Sequence, residues 1–209
     1  NDPEANTWET ALSEASYLTM VERNADVVYM ASYAPLFARL GYTQWSPDMI
    51  WFDDAESYGT PTYYIQKLYS TNMGDYTLKS ELNQLSPEPW LYQNTSYDTE
   101  SGDIIIKIAN SGASDMSVPI SIDDSYTLTG TADIMQIAEN DLNAVNSIED
   151  PYNVSPTETT MDNIENDFNI DLPAYSFTVI RVNTKSDSAP TVENTVYENN
   201  NVSFTLNNQ

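Results

Sequence analysis

The 209-residue chain contains no cysteine and no histidine. Without cysteine it cannot form a disulfide, present a thiolate nucleophile or hold a Cys-based zinc or iron–sulfur centre. Without histidine it also lacks the commonest zinc ligand and general base. Any chemistry must come from carboxylates, tyrosines or hydroxyls, and no metal or cofactor is expected. Basic residues are scarce as well: 7 Lys and Arg face 32 Asp and Glu, a formal net charge of -25. Such a surface repels nucleic acid phosphates and anionic membranes, both of which need Lys/Arg-rich faces. Neutral ligands fit it better. No run of about 18 apolar residues is present that could span a bilayer. The chain opens Asn1-Asp2-Pro3, without an initiator methionine or an apolar signal core, as expected of a processed or trimmed polypeptide.

The composition, 40% hydrophobic and 11% aromatic, supplies enough apolar side chain for one or two packed cores. Over residues 6–23, Trp8, Leu12, Ala15, Tyr17, Leu18 and Val21 recur at three- and four-residue spacing. Asn6 and Glu9 have the form of a capping box, so this segment predicts an amphipathic helix. Residues 25–40 are apolar almost throughout, which predicts a second, shorter and more buried helix from Asp26, ended or kinked by Pro35. Residues 49–52 form a continuous apolar run between Pro47-Asp48 and Asp53-Asp54, the pattern of a strand covered on both faces. Thr60-Pro61 then gives an N-cap and first-turn signal for a helix with Ile65, Leu68 and Tyr69 on its apolar face, and Gly74 as a stop.

Beyond about residue 76 the pattern changes to short β-favouring runs at 104–109, 118–122, 126–128, 134–138 and 176–182. Gly, Asp, Asn and Pro separate them, as in an antiparallel sandwich. From Thr184 the chain is Asn-rich and polar, predicting a loose linker with at most one added edge strand. The division is therefore 1–75, 76–184 and 185–209. A helix–strand–helix segment with a doubly covered strand cannot close a core alone, so residues 1–75 need a partner segment elsewhere.

Residues 22–37 read ERNADVVYMASYAPLF, residues 45–53 WSPDMIWFD and residues 58–70 YGTPTYYIQKLYS; near the other end, residues 172–182 read LPAYSFTVIRV. In this order the four blocks resemble the C-terminal part of fungal-type α-L-arabinofuranosidases of glycoside hydrolase family 51. The resemblance implies an α/β plus all-β fold: the last elements of a (β/α)8 barrel, completed by a partner chain, followed by an antiparallel, jelly-roll-like β-sandwich. It implies a retaining, exo-acting glycosidase that removes terminal arabinofuranosyl groups from arabinan or arabinoxylan, with two glutamates as acid/base and nucleophile. Neither catalytic motif occurs in this sequence. The resemblance therefore places both glutamates on an upstream, tightly associated N-terminal chain and assigns no catalytic residue here.

Barrel active sites lie at the C-terminal ends of the strands, so on this resemblance Asp53, Asp54, Tyr58 and Thr60 fall on the substrate side, with Trp45 at the rim. Each has an ordinary alternative. Adjacent strand residues point to opposite faces, which suits Asp53 and Asp54 poorly for flanking one glycosidic bond. Tyr58 can simply pack, Thr60 can simply cap a helix, and Trp45 can belong to a core. Glu9, Glu14 and Glu22 read as helix-surface charges. The acidic run 162–167 and Asp123-Asp124 lack the glycine-containing loop and terminal glutamate of an EF-hand, so they read as exposed loops.

Asn94, Asn153 and Asn201 head N-x-S/T triplets, the middle one weakened as a glycan acceptor by Pro156. With the acidity and the resemblance, these sequons suggest a secreted, extracellular glycoprotein. Two other functions keep parts of this reading. One is a non-catalytic carbohydrate-binding or structural sandwich, which predicts a stable monomer; the other is an endo-acting glucanase of the same family.

Overall fold

A computed structural model describes residues 6–43, 45–83, 90–185 and 201–205. Helices and two β-sheets stack in three layers. The central sheet is antiparallel throughout and runs in the order β10 (Thr157–Asp162), β9 (Leu128–Ala138), β12 (Ser176–Thr184), β7 (Asp103–Asn110), β6 (Leu91–Tyr97), β4 (Tyr76–Thr77). The outer sheet runs β11 (Asp167–Leu172), β8 (Met116–Ile122), β13 (Asn201–Thr205), β5 (Lys79–Asn83). Only its β13–β5 pairing is parallel. On the far side of the central sheet lie α1 (Trp8–Arg23) and α2 (Pro61–Thr71).

Strand β7 shows why its sequence is so apolar: all eight of its residues are buried. Ile104, Ile106 and Ile108 point into the sandwich with Val118, Ile120, Ile134, Ile180 and Val182. Ile105 and Ala109 point the other way, against the helices, with Phe177 and Val179 of β12. A strand with one wet face alternates; one covered on both sides does not. Burying each of these aliphatic side chains contributes about 1.5–3 kcal/mol.

The helix layer is fixed by specific bonds. Trp8 Nε1 donates to Tyr175 O at 2.8 Å, and the Trp8 and Glu9 amides donate to Ala144 O and Leu142 O, occupying N–H groups that have no partner within the helix. The cap of α1 is Thr7, whose side chain accepts from the Thr10 amide. The expected Asn6 cap is thereby corrected, because Asn6 Oδ1 instead accepts from Trp51 Nε1 at 3.2 Å. Thr60 caps α2 as expected, with Pro61 at N1. Tyr69 stacks on Phe177 at 5.1 Å and donates its hydroxyl to Ala15 O, locking α2 to both the sheet and α1.

Residues 25–36 depart from expectation. They form a turn and irregular chain rather than a helix, and apart from the half-buried Tyr33 and Pro35 their apolar side chains are exposed, Tyr29 at 90%. They lead into a small sheet in which β1 (Phe37–Arg39) pairs parallel with β2 (Ile50–Phe52) and β2 pairs antiparallel with β3 (Ser57–Gly59). Strand β2 is not covered on both faces within this chain: Trp51 is buried, whereas Ile50 and Phe52 are half-buried. The outer edge of β1 has no strand beside it among the described residues.

In the sandwich, the separate runs 126–128 and 134–138 are one strand, β9, with Tyr126 in the turn before it. Strands β5, β6, β10 and β11 carried too many polar residues to be read as strands. The added tail strand, β13, lies inside its sheet between β8 and β5 rather than at an edge. The rest of the expected linker, 186–200 and 206–209, lies outside the described residues, as do residues 1–5.

Candidate substrate-facing site

The candidate residues cluster around β2 but at different levels along it. Asp53 follows the C-terminal end of β2 and builds the turn to β3. Its Oδ1 accepts from the amides of Ala55 and Glu56, both at 2.8 Å. These two bonds are the main reason its carboxyl is held below the usual carboxylate range. Asp54 forms an exposed ion pair with Arg39 of β1. One carboxylate thus shapes a turn and the other pairs with a cation, so the two do not form a catalytic couple.

Tyr58 is buried against Ala38 and Trp51, with Leu40 and Ile148 packed alongside. Burial, and secondarily the charge of Glu149, pushes its phenol up to about 12. Thr60 is buried too. Its amide and its hydroxyl both donate to Met49 O, at 3.1 and 2.9 Å. Because β3 runs back along β2, Thr60 sits level with Met49, four residues before Asp53. At about 3.3 Å per residue the two lie roughly 13 Å apart along the strand. Only Asp53 and Asp54 therefore occupy the C-terminal end of β2. Trp45, on the β1–β2 connection, is 65% exposed, with its backbone held by Thr43.

Three polar residues near β2 were not among the site candidates read from the sequence. Asp48 is 2% exposed, with burial raising its carboxyl and no partner for Oδ2 among the described residues. Tyr33 is pushed up to about 12 by burial and then by the charges of Glu14 and Asp48. Asn6 joins them, accepting from the Asp48 amide. Pro47-Asp48 at a strand entrance was the available signal, but it reads equally well as a turn.

Among the sequons, Asn94 is 1% exposed and its Nδ2 donates to Glu22 Oε2 at 2.6 Å. The nitrogen to which a glycan would be attached is enclosed, so the folded structure does not present this position. Asn153 lies on the surface, with Nδ2 donating to Val145 O; the Asn201 side chain lies outside the described residues. Among the described residues no group of three or more Asp or Glu could hold a metal ion, and no helix is long and apolar enough to cross a membrane.

The profile of the α-L-arabinofuranosidase C-terminal domain matches residues 2–176. The chain belongs to this family. An extracellular exo-α-L-arabinofuranosidase of Streptomyces chartreusis is 47% identical over 78 residues, 37% of this chain and 10% of that protein. α-L-Arabinofuranosidase 1 of Arabidopsis thaliana is 35% identical over 114 residues, 53% of this chain and 16% of that protein. Among solved structures, an arabinose-bound α-L-arabinofuranosidase of family GH51 superposes with a TM-score of 0.78 at 31% identity, over 86% of this chain and 28% of that one. The chain is thus the C-terminal part of a family 51 arabinofuranosidase fold and spans between a tenth and a sixth of these two curated relatives. The family's β-sandwich is the pair of sheets described above.

Proposed function

We propose that this chain is the C-terminal, non-catalytic region of a secreted, retaining, exo-acting α-L-arabinofuranosidase that removes terminal arabinofuranosyl groups from arabinan or arabinoxylan. The acid/base and nucleophile glutamates lie on an upstream region carried by a tightly associated chain. Residues 1–75 complete the catalytic barrel on that region, residues 76–184 form the sandwich that buttresses it, and the polar tail 185–209 adds strand β13 to that sandwich. Asp53, Asp54 and Trp45 face the substrate side, with Tyr58 and Thr60 fixing the strands behind them. Asn153 and Asn201 remain the glycan positions of this reading.

The observation that carries the proposal is the unfinished small sheet. Strands β1 and β2 are parallel, the outer edge of β1 is open among the described residues, Phe37 on β1 and Trp45 on the connection to β2 expose large apolar side chains, and Tyr29 and Met30 do so on the segment that leads into β1. Parallel strands belong in sheets covered on both faces, and large apolar side chains left this exposed fit surfaces that another segment covers. On this reading the upstream catalytic region covers it.

The native mass of the purified particle, set against a denaturing gel, tests the arrangement. A particle that separates into this 23.5 kDa chain and a larger one supports it; a native particle that consists of this chain alone removes it in favour of a sugar-binding sandwich. A panel of arabinofuranosyl, xylosyl and glucan substrates tests the activity, and cleavage of glucans alone would overturn the substrate assignment.

A further inference from the structure

Where α2 meets the loop 147–156 of the sandwich there is a cavity of about 220 Å3, bounded by Tyr58, Gly59, Tyr63, Tyr64, Pro151 and Tyr152. None of the sequence candidates except Tyr58 touches it, and Tyr58 does so from its buried strand. We propose that Tyr63, Tyr64 and Tyr152 form a binding subsite for one neutral sugar ring of an oligosaccharide.

The rings are set in place by the backbone. Gly59 carries no side chain because the ring of Tyr63 lies where one would be: a Cβ there would come within 2.2 Å of it. Tyr63 in turn meets Tyr64 edge to face, with centroids 5.1 Å apart and planes at 77°. The opposite wall is equally fixed. Asn146, buried at the base of the loop, donates from Nδ2 to Gly59 O at 2.9 Å and to Val154 O at 3.0 Å, and its Oδ1 accepts from the Val154 amide. Ser155 Oγ donates to the carbonyl of Tyr152 itself. The loop that carries Tyr152 is therefore tied to the strand that seats Tyr63, and the two walls keep their spacing without a ligand.

The chemistry of the walls selects the ligand class. Tyr152 is 70% exposed, with nothing in the fold requiring a large aromatic at that place. The hydroxyls of Tyr63, Tyr64 and Tyr152 make no hydrogen bond to any described residue, and burial, then the nearby phenols of Tyr152 and Tyr63, raise the Tyr64 phenol above its ordinary value. Flat apolar faces with free hydroxyls at their edges match a sugar, whose C–H face stacks on a ring while its hydroxyls exchange hydrogen bonds. No Lys or Arg lines the cavity, and the neighbouring charge is that of Glu149, so phosphorylated or carboxylated ligands are disfavoured. The volume lies below the roughly 300–1,000 Å3 of sites that enclose drug-sized ligands, which limits the contact to about one ring.

The proposal concerns binding and stands apart from the hydrolytic reading. It is tested on the complete enzyme by titration with arabino-oligosaccharides and xylo-oligosaccharides, followed by calorimetry or ligand-observed NMR at a temperature where turnover is negligible. Tyr152→Ala removes an exposed ring, so folding is preserved and checked by the unfolding midpoint. The expected result is about a three- to tenfold rise in Kd for at least one of the two sugars. Tyr152→Phe, which keeps the stack, falls between the two, and Tyr17→Ala, an exposed tyrosine on α1, has no effect. Unchanged affinity for both sugars in Tyr152→Ala and in Tyr63→Ala overturns the subsite, whatever the enzyme hydrolyses. Loss of affinity in an enzyme without arabinofuranosidase activity upholds the subsite and sinks the proposed function instead.

Discussion

Replacing Glu22 by alanine tests how the helix layer is held to the sandwich. Lys107 lies in the middle of β7 with its side chain 1% exposed, and its Nζ reaches Glu22 Oε1 at the end of α1 at 2.5 Å. The same ammonium lies 4.7 Å from the centroid of the Tyr69 ring, and Glu22 Oε2 accepts from Asn94. Removing one partner of a buried pair costs about 3–5 kcal/mol, mostly because the remaining charge is left unpaired. Glu22 is itself 24% exposed, so water can reach the vacated space and the lower end applies. The expected loss is about 3 kcal/mol, which for a chain of this size lowers Tm by roughly 6–12 °C. The double variant Glu22→Ala, Lys107→Met removes both charges and fills the space with an apolar chain, and recovers most of what Glu22→Ala loses. The pH dependence has a definite sign. Burial depresses the Lys107 pKa while Glu22 opposes the shift, so between the folded value and 10.5 the unfolded chain holds more protons and stability rises with pH. Without Glu22 the depression deepens, and the deficit of Glu22→Ala narrows as pH rises toward the ordinary lysine value of 10.5. Urea unfolding at several pH values measures all of this. A cost under about 1 kcal/mol for Glu22→Ala, or a double variant no better than the single, refutes the reasoning.

Thr60→Ala removes both the cap of α2 and the hydroxyl bond to Met49 O, and is expected to cost about 1–2 kcal/mol in denaturant unfolding. Gly59→Ala places a methyl group in the Tyr63 ring; the expected loss is about 1–3 kcal/mol, seen as a lower Tm together with altered near-UV circular dichroism from the displaced tyrosine. Burial raises the Glu14 carboxyl above its ordinary 4.5, against hydrogen bonds from Gln66 and Thr62. A carboxyl raised on folding favours the folded state most below 4.5 and loses that contribution as pH rises through its folded value. Glu14→Gln is therefore expected to stabilise the protein at pH 7 and to lose that advantage at pH 4, as read by paired urea midpoints.

How much of this was legible in the sequence depended on whether local pattern and final environment agreed. The Thr60-Pro61 start of α2 and the strands at 104–109 and 176–182 were legible because their signals are local: a cap chemistry and apolar runs covered from both sides. Strand β6 was not, since Gln93, Asn94, Thr95 and Ser96 look like loop, yet all four are buried, Asn94 and Ser96 on the face toward α1 and Gln93 and Thr95 on the face toward the outer sheet. Their polar groups are partly met by long-range partners such as Ser80 and Glu22, which no local pattern announces. The same holds for Lys107, whose partner is 85 residues away. At the candidate site, the position of Thr60 could not be foreseen because the return strand β3 doubles the chain back along β2. A loop read as lying at one end of a strand spans both.

Residues 25–36 failed for a different reason, and the failure is informative. Their apolar composition predicted burial, and composition reports where a surface ends in the complete particle rather than in one segment of it. If the upstream region covers them, polar substitution there separates folding from association. The triple variant Tyr29→Ser, Met30→Ser, Trp45→Ser removes side chains that are 90%, 85% and 65% exposed in this chain. Its own unfolding free energy is expected to change by no more than about 0.5 kcal/mol per site. Association is another matter: truncating large anchors at the centre of an interface typically costs 2 kcal/mol or more each, enough together to separate the two regions at micromolar concentration. Size-exclusion chromatography of the mixed regions, beside urea unfolding of this chain alone, reads both quantities. Co-elution as tight as wild type would show that this face is not the interface. A collapse in stability of the isolated chain would show that the three side chains hold its own fold together.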